Sequence, residues 1–309
     1  MQTISRNTIS KGGRGHFLED EKWLGRFMLA PAVIYIVALV GLPFLLAIYY
    51  SLSDVTVGSR SLHFVGMDNF RHILDSNTFW RSLRNTLVFT LVSQLLVVVL
   101  GNILAMALYK NFRGKWLVRF LILLPWVAPI SLGSIGWLWI FDPVYSVINW
   151  SGRALGVFGP TTWPIWLGQP TLAMASVIMV DVWRLLPLST VIILAGLSSI
   201  PQDIHDAAAV DGIGFWRRLF QITLPLLMPI MLVALLFGIV FTVTDMIVIY
   251  VLTRGGPYDT TQVLSSLAFF TGIQGGDLAE GAAISLFLFP LLVAVAILFL
   301  TLARRTEVT

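Results

Sequence analysis

The chain contains six apolar runs, each long enough to cross the hydrocarbon core of a membrane as a helix. Such a helix needs about 20 residues, and the runs lie near residues 27–51, 86–109, 117–141, 171–198, 222–252 and 282–303. Charged residues make up 12% of the 309-residue chain, whereas soluble domains average about 25%. The runs therefore predict an all-α, polytopic membrane protein with about six transmembrane helices.

The fifth run is longer than a crossing requires, at about 46 Å if it is wholly helical. We therefore expect this helix to tilt, to kink or to begin outside the bilayer. Pro225 and Pro229 should make its start irregular, because proline removes a backbone donor. Residues 67–84 are predicted to form an amphipathic helix on the outer surface. The tryptophan-rich 142–170 loop is predicted to lie at the outer interface.

Lysine and arginine favour one side of the membrane. They concentrate before the first run, between the second and third, between the fourth and fifth, and after the last. With six crossings these segments share one side, which the positive-inside rule predicts to be cytoplasmic. Residues 1–26 would then be a cytoplasmic N-terminal segment, 27–305 a single transmembrane domain and 199–221 a cytoplasmic loop. The outer loops also carry arginines, so the asymmetry is incomplete. The net charge of +4 is assigned to this orientation, and no nucleic-acid partner is expected.

The polar interval from Asp206 to Pro229 is the most distinctive stretch outside the apolar runs. It begins with three alanines, Ala207–Ala209, followed by Asp211 and Gly212, a pair typical of turns. A short basic amphipathic piece comes next. This order predicts two short helices joined by a turn at the membrane surface, the first with a nearly bare alanine face that another backbone can approach closely. On composition alone, a connecting loop that is merely helical is the simpler interpretation.

The interval resembles the EAA loop of permease subunits of binding-protein-dependent ABC importers, whose pattern is E-A-A-x-x-D-G-A, a spacer and then I-x-L-P. The matching positions are Asp206, Ala207, Ala208, Asp211, Gly212, Ile222, Leu224 and Pro225. Two positions depart from the pattern, because Asp206 stands where glutamate is usual and Ile213 where alanine is usual. The aspartate keeps the charge on a shorter side chain.

Three other runs resemble the carbohydrate branch of these permeases. Before the second apolar run the matching residues are Gly66, Asn69, Phe70, Phe79, Trp80, Asn85 and Thr86. Pro125 matches a proline of the third span. After the fifth apolar run come Tyr250, Leu252, Thr253, Gly255, Gly256 and Pro257, similar to the Y-x-L-T-x-G-G-P run of maltose and glycerol-3-phosphate type subunits. The matches extend from about Leu29 onward.

The resemblance implies a type I ABC importer permease fold in a bacterial inner membrane, with both termini cytoplasmic. It also implies a second, similar permease subunit, a pair of ATPase subunits that bind ATP and Mg, and an external solute-binding protein. The residues that would couple to the ATPase are Asp206, Ala207, Ala208, Ala209, Asp211, Gly212, Ile213 and Gly214.

No cofactor or metal is expected on this chain itself. It has no cysteine and no phosphate-binding P-loop, and its four histidines are scattered. We therefore expect ATP hydrolysis to occur in a separate subunit and this chain not to be an enzyme. For Arg217 and Arg218, which follow the coupling residues, lipid binding is a simpler role than an ATPase contact. Each can bind anionic lipid headgroups with about 1 kcal/mol.

Charged residues inside the apolar runs are candidates for a solute path. Asp181 and Arg184 lie three apart in the fourth run, and Thr242 and Asp245 three apart in the fifth, so each pair shares one helix face. A charge near the bilayer centre costs about 2.5–3.5 kcal/mol, so such residues usually face a cavity or a partner. A structural ion pair of Arg184 with Asp245 or Asp181 is an equal alternative.

Similarity to the maltose permease subunit implies a set of sugar-contacting positions. They are Trp126, Ile130, Arg184, Leu185, Leu188, Gly238, Phe241, Thr242 and Asp245. Only the aromatic positions keep the character of that relative, and the charges at Arg184 and Asp245 differ from it, so maltose itself is not indicated. A carboxylate, a guanidinium and aromatic rings nevertheless suit a mono-, di- or oligosaccharide or another polyol.

Two other functions are consistent with a polytopic chain. A self-contained secondary transporter or channel often shows inverted repeats around a site at the membrane midplane, and no internal repeat is present here. A membrane-embedded transferase would need a carboxylate or histidine constellation at the surface. Asp68, Asp75 and Asp259 are too dispersed in the sequence to form one.

Overall fold

A computed structural model describes residues 21–59, 62–159 and 161–306. Most of the predicted N-terminal segment, residues 1–20, lies outside these ranges. Within them the chain is helical, apart from connecting loops and one isolated antiparallel bridge between Ser53 and Phe64. The chain divides into two compact units, Met1–Tyr49 and Tyr50–Thr309.

The first span is an apolar helix from Trp23 to Ser51. It consists of α1 (Glu21–Ile36), a π-helical turn at Val37–Gly41 and α2 (Leu42–Ser51). Leu42 donates to the carbonyl of Val37, five residues earlier. The next residue, Pro43, has no N–H to donate, and the wider π turn accommodates this loss.

The second and fourth spans form the central helix pair of the larger unit. They are α4 (Asn77–Tyr109) and α8 (Pro170–Ser199). The start of α4 takes up the second half of the 67–84 stretch, which is therefore two helices rather than one. The first, α3 (Asp68–Asp75), ends at Ser76, whose hydroxyl accepts the N–H of Phe79 and caps α4.

The third apolar run is not one straight helix. It contains α5 (Lys115–Val127) and α6 (Ile130–Ile140), which meet at an angle of 97°. Pro125 lies inside α5 without ending it, and the break falls at Ala128 and Pro129. A proline disfavours helical geometry in the residue before it, and Ala128 is accordingly extended, with ψ 139°.

The fifth run is broken at both ends of its apolar helix. It begins with α10 (Phe215–Arg218) and a π-helical turn at Leu219–Thr223, where Leu224 donates to the carbonyl of Leu219 just before Pro225. The turn leads into α11 (Leu224–Thr244). Asp245 and Met246 then interrupt the helix before α12 (Ile247–Leu252). The fifth run is therefore interrupted at both ends of α11 and is not one continuous helix.

The remaining helices complete the larger unit. They are α7 (Val147–Ala154) in the outer loop, α9 (Gln202–Val210) between the fourth and fifth spans, α13 (Leu264–Phe269) with a π-helical turn at Phe270–Gln274, and α14 (Leu278–Leu286) with α15 (Leu288–Thr306). In the described ranges five helices are long and apolar enough to cross a membrane, or six if α5 and α6 form one span.

Three apolar clusters lie along α4. The first surrounds Phe79 and includes residues of α3, α13 and α14. The second surrounds Phe89 and Val97 and includes residues of α8 and α12. The third surrounds Leu108 and includes the C-terminal end of α8 and the first half of α11. Burial of these side chains packs the surrounding helices against α4, and the polar residues between the clusters must find partners of their own.

Candidate functional site

Asp245 occupies the break between α11 and α12. Its backbone is extended, at φ −72° and ψ 127°, and its side chain is 4% exposed. One carboxylate oxygen accepts the N–H groups of Ile247 at 2.6 Å and Val248 at 3.2 Å. Its carbonyl accepts the hydroxyl of Ser265 at 2.7 Å. The carboxylate therefore satisfies the free donors at the start of α12 and holds the helix broken at this point.

Arg184 of α8 forms an ion pair with the second carboxylate oxygen of Asp245. The arginine side chain is 18% exposed, so the pair is largely withdrawn from the surface. This is the interhelical pair that the sequence allowed as the structural alternative, with Asp245 rather than Asp181 as the partner. Removing one member of such a pair would leave an uncompensated charge, which costs about 3–5 kcal/mol.

Asp181 lies one helical turn from Arg184 and is fully buried. One carboxylate oxygen accepts the hydroxyl of Thr242 in α11 at 3.1 Å, and that hydroxyl accepts the amide of Gln94 in α4 at 2.7 Å. The chain of bonds therefore joins the second, fourth and fifth spans. Among the described residues, the other oxygen of Asp181 and the carbonyl oxygen of Gln94 have no hydrogen-bond partner.

Gln94 belongs to this cluster although the sequence predictions did not include it. Gln94 is a polar residue in the middle of the 86–109 run, and it is 2% exposed. The expectation that polar residues inside a span face a cavity or a partner could therefore have found it. Gly238, a predicted solute-path position, packs directly against it. A Cβ atom at Gly238 would overlap the Gln94 carboxamide. Glycine is needed here because α4 and α11 approach closely, and the structure shows Gly238 in contact with protein.

Two predicted aromatic positions also meet. Trp126 of α5 and Phe241 of α11 make an edge contact, with ring centroids 5.3 Å apart and planes at 73°. Phe241 precedes Thr242 in the chain, so this aromatic pair lies at the same level of α11 as the polar cluster. Leu185 is buried in the cluster around Phe89, against which Trp126 and Ile130 pack. Leu188 is half-buried.

The loop after α12 is tied to α4. The Asn85 amide donates to the carbonyls of Asp259 at 3.0 Å and Gln262 at 2.9 Å. The Thr86 hydroxyl accepts the N–H of Leu264 at 2.9 Å. The run around Asn85 and the loop that follows the Gly-Gly-Pro segment, both noted in the sequence, are thus hydrogen-bonded to each other.

The first four predicted coupling residues, Asp206–Ala209, lie on α9, a helix displayed outside the spans, and the other four follow it in the turn before α10. Pro201 is the N-cap of α9, one residue before the helix begins. Ala208 is the buried residue of α9, at 3% exposure, and Ile204 packs against the cluster around Leu108. Ile213 is half-buried, and the other six residues of the predicted set are exposed; these six are Asp206, Ala207, Ala209, Asp211, Gly212 and Gly214.

A Schellman motif ends α9. Ile213 donates to the carbonyl of Ala208 at 3.0 Å, and Gly212 donates to that of Ala209 at 3.1 Å. Gly212 adopts φ +67°, where a side chain is strained. The Asp-Gly pair therefore forms the predicted reversal, and it is a rigid connection. Gly214 follows, and α10 begins at Phe215.

Membrane-length helices around a buried charge cluster, with a short helix displayed between two of them, are typical of a membrane-embedded transport component. A family model confirms this class. The chain belongs to the family of binding-protein-dependent transport system inner membrane components, whose model matches residues 97–308. Neither a self-contained secondary transporter nor a transferase describes that family.

Several relatives align along nearly the whole chain. The trehalose/maltose transport system permease protein MalF of Thermococcus litoralis is 34% identical, covering 92% of this chain and 95% of that protein. The sulfoquinovosyl glycerol transport system permease protein SmoG of Agrobacterium fabrum is 31% identical, covering 93% and 92%. The trehalose transport system permease protein SugA of Mycobacterium tuberculosis is 31% identical, covering 91% and 89%.

A solved structure shares the fold. It is a chain in the crystal structure of a bacterial alginate ABC transporter in complex with an alginate pentasaccharide-bound periplasmic protein. The TM-score is 0.80 at 22% identity, with 94% of this chain and 98% of that chain covered. The predicted all-α ABC importer permease fold is thereby confirmed.

Proposed function

We propose that this chain is the permease subunit of an ATP-driven importer for a sugar or related polyol that an external binding protein delivers. The relatives named for trehalose, maltose and sulfoquinovosyl glycerol support this substrate class. The observation that supports the proposal most directly is the position and exposure of α9. It is a short helix outside the spans, anchored through Ile204 and Ala208, and its exposed residues include Asp203, Asp206, Ala207 and Ala209.

In this proposal α9 is the coupling helix and docks on an ATPase subunit that binds ATP and Mg. The Schellman turn joins α9 stiffly to α10, and α10 continues through the π turn into α11. A displacement of α9 would therefore reach Asp245, at the far end of α11, as a rigid-body motion. Closure of the ATPase pair would in this way change the surroundings of the buried charge cluster.

The solute path would pass the Arg184–Asp245 pair and the Trp126–Phe241 pair. In the present arrangement the carboxylate and guanidinium satisfy each other. When the helices separate, the carboxylate can accept hydrogen bonds from two sugar hydroxyls and the guanidinium can donate to two oxygens. The aromatic rings can cover the apolar face of a sugar. We assign the second wall of the path to a similar partner permease.

The membrane placement is also part of the proposal. The basic connections of the sequence place α9 and both termini on the cytoplasmic side of a bacterial inner membrane. The chain has no cysteine, so a single cysteine at Ala209 can be labelled uniquely in intact cells. Labelling only after the membrane is opened is expected, whereas labelling by an impermeant maleimide from outside would contradict the orientation.

Reconstitution tests the coupling. The complete transporter in proteoliposomes, with its ATPase subunits and binding protein, should import solute only when ATP is supplied. Ala208→Trp should raise the amount of ATP hydrolysed per solute imported, because the buried anchor of α9 no longer fits. Val210→Trp, at an exposed neighbour outside the predicted coupling set, is the matched control. An unchanged ratio in Ala208→Trp, with α9 intact, would remove the coupling role.

A further inference from the structure

A cavity of about 260 Å³ lies between α9, the ends of α4 and α8, and the segment that leads into α11. Its apolar lining includes Met106, Leu197 and Leu219. Its polar lining includes Lys110, His205 and Arg218. The cavity is separate from the buried charge cluster around Asp245, and neither the coupling role of α9 nor the solute path explains it.

The electrostatics of the cavity favour an anion. Lys110 and Arg218 both line it, and no aspartate or glutamate is among its lining residues in the described part of the chain. Neither cation forms an ion pair within those same ranges. The Nε2 atom of His205 is buried and lacks a hydrogen-bond partner among the described residues. His205 thus adds an imidazole to the wall of the cavity while its Nε2 atom is enclosed by the protein, so the two donors that face a ligand are Lys110 and Arg218.

The surroundings of the cavity favour an amphiphile. Phe215 is 50% exposed, Trp216 69% and Phe220 61%, so α10 and the turn after it present a broad apolar surface beside the two cations. The volume lies just below the roughly 300 Å³ at which small-molecule pockets begin, which suits a headgroup rather than a whole lipid. Basic residues at the ends of membrane helices meet the phosphates of anionic lipids.

We propose that this cavity binds the phosphodiester headgroup of an anionic phospholipid. Lys110 and Arg218 hold the phosphate, and the acyl chains lie outside along Phe215, Trp216 and Phe220. A lipid in this position contacts both α4 and α9 and thereby stabilises the position of α9 relative to the spans. Free phosphate has the same charged group but no acyl chains to contact the apolar surface. An experiment can therefore distinguish a bound phospholipid from bound free phosphate.

The test measures phospholipid retained by the assembled transporter. Phosphatidylglycerol is titrated into phosphatidylcholine nanodiscs, and the bound copies are counted by native mass spectrometry. Lys110→Gln and Arg218→Gln should each weaken retention about fivefold. Leu219→Trp should abolish it by filling the cavity at constant charge. Arg217→Gln is the matched control, since Arg217 is exposed, bonds Gln221 at 2.9 Å and does not line the cavity.

Three results would overturn the proposal. Equal losses in Arg217→Gln and Arg218→Gln would show general attraction between a basic surface and the bilayer. Wild-type retention in Leu219→Trp would place the lipid elsewhere. Displacement of the lipid by millimolar sodium phosphate alone would make free phosphate the ligand. A loss confined to the three cavity variants, and insensitive to phosphate, is the expected outcome.

Discussion

The Arg184–Asp245 pair gives the most decisive prediction, because a structural role and a solute role differ in what the double variant does. Asp245→Asn leaves Arg184 withdrawn and unpaired, and Arg184→Gln does the same to Asp245. Each single change should cost about 3–5 kcal/mol of stability. Asparagine can still accept from a backbone N–H at the start of α12, so the loss of capping adds only about 1 kcal/mol or less.

The double variant Arg184→Gln/Asp245→Asn buries two neutral amides that can bond each other, so most of the cost of the single changes should disappear. At about 2 °C per kcal/mol for a large domain, the thermal midpoint should fall by about 6–10 °C in each single variant. In the double variant it should fall by only a few degrees. Size-exclusion chromatography of heated detergent samples measures these midpoints.

Uptake in proteoliposomes then separates the two roles. If the pair also contacts solute, the double variant is stable but imports solute more slowly than the wild type, since two neutral amides replace a charged donor and a charged acceptor. Wild-type uptake in the stable double variant would refute the solute role and leave a structural ion pair. Single variants with unchanged midpoints would refute the buried pair itself.

Three further predictions concern single contacts. Gly238→Ala should destabilise the chain by about 1–3 kcal/mol through overpacking against Gln94, and Gln94→Ala in the same chain should restore the thermal midpoint; no rescue would contradict that contact. Gly212→Ala should lower the free energy of unfolding by about 1–2 kcal/mol, because Gly212 has a positive φ, and it should raise the ATP consumed per solute imported. Gly212→Asn should stay near the wild type in both measurements. Equal effects of the two variants would show that the turn does not contribute to coupling. Asn85→Ala should release the loop at Asp259, so limited proteolysis should cleave that loop faster while the solute specificity stays unchanged. An unaltered cleavage rate would show that other contacts hold the loop.

The amino-acid sequence by itself determined the class of fold and the position of the displayed helix. The apolar runs predict membrane spans because an unpaired backbone cannot remain in hydrocarbon, so each run must be a helix. The turn at Asp211 and Gly212 was equally local, since few residues other than glycine adopt φ +67° without strain. The bend of the third run also had a local cause, but Pro129 rather than Pro125 marked it, because the residue before a proline leaves the helix.

Only the tertiary structure decided which polar residues meet. Arg184 and Asp181 share a helix face with spacing that suits a pair, yet Arg184 reaches Asp245 on another helix while Asp181 bonds Thr242. That choice depends on how α8, α11 and α4 are packed and on the break that turns the Asp245 carboxylate toward α12. The same packing brought Gln94 against Gly238. Helix periodicity specifies which residues share a face, but the neighbour of that face follows from long-range packing, which no local pattern encodes.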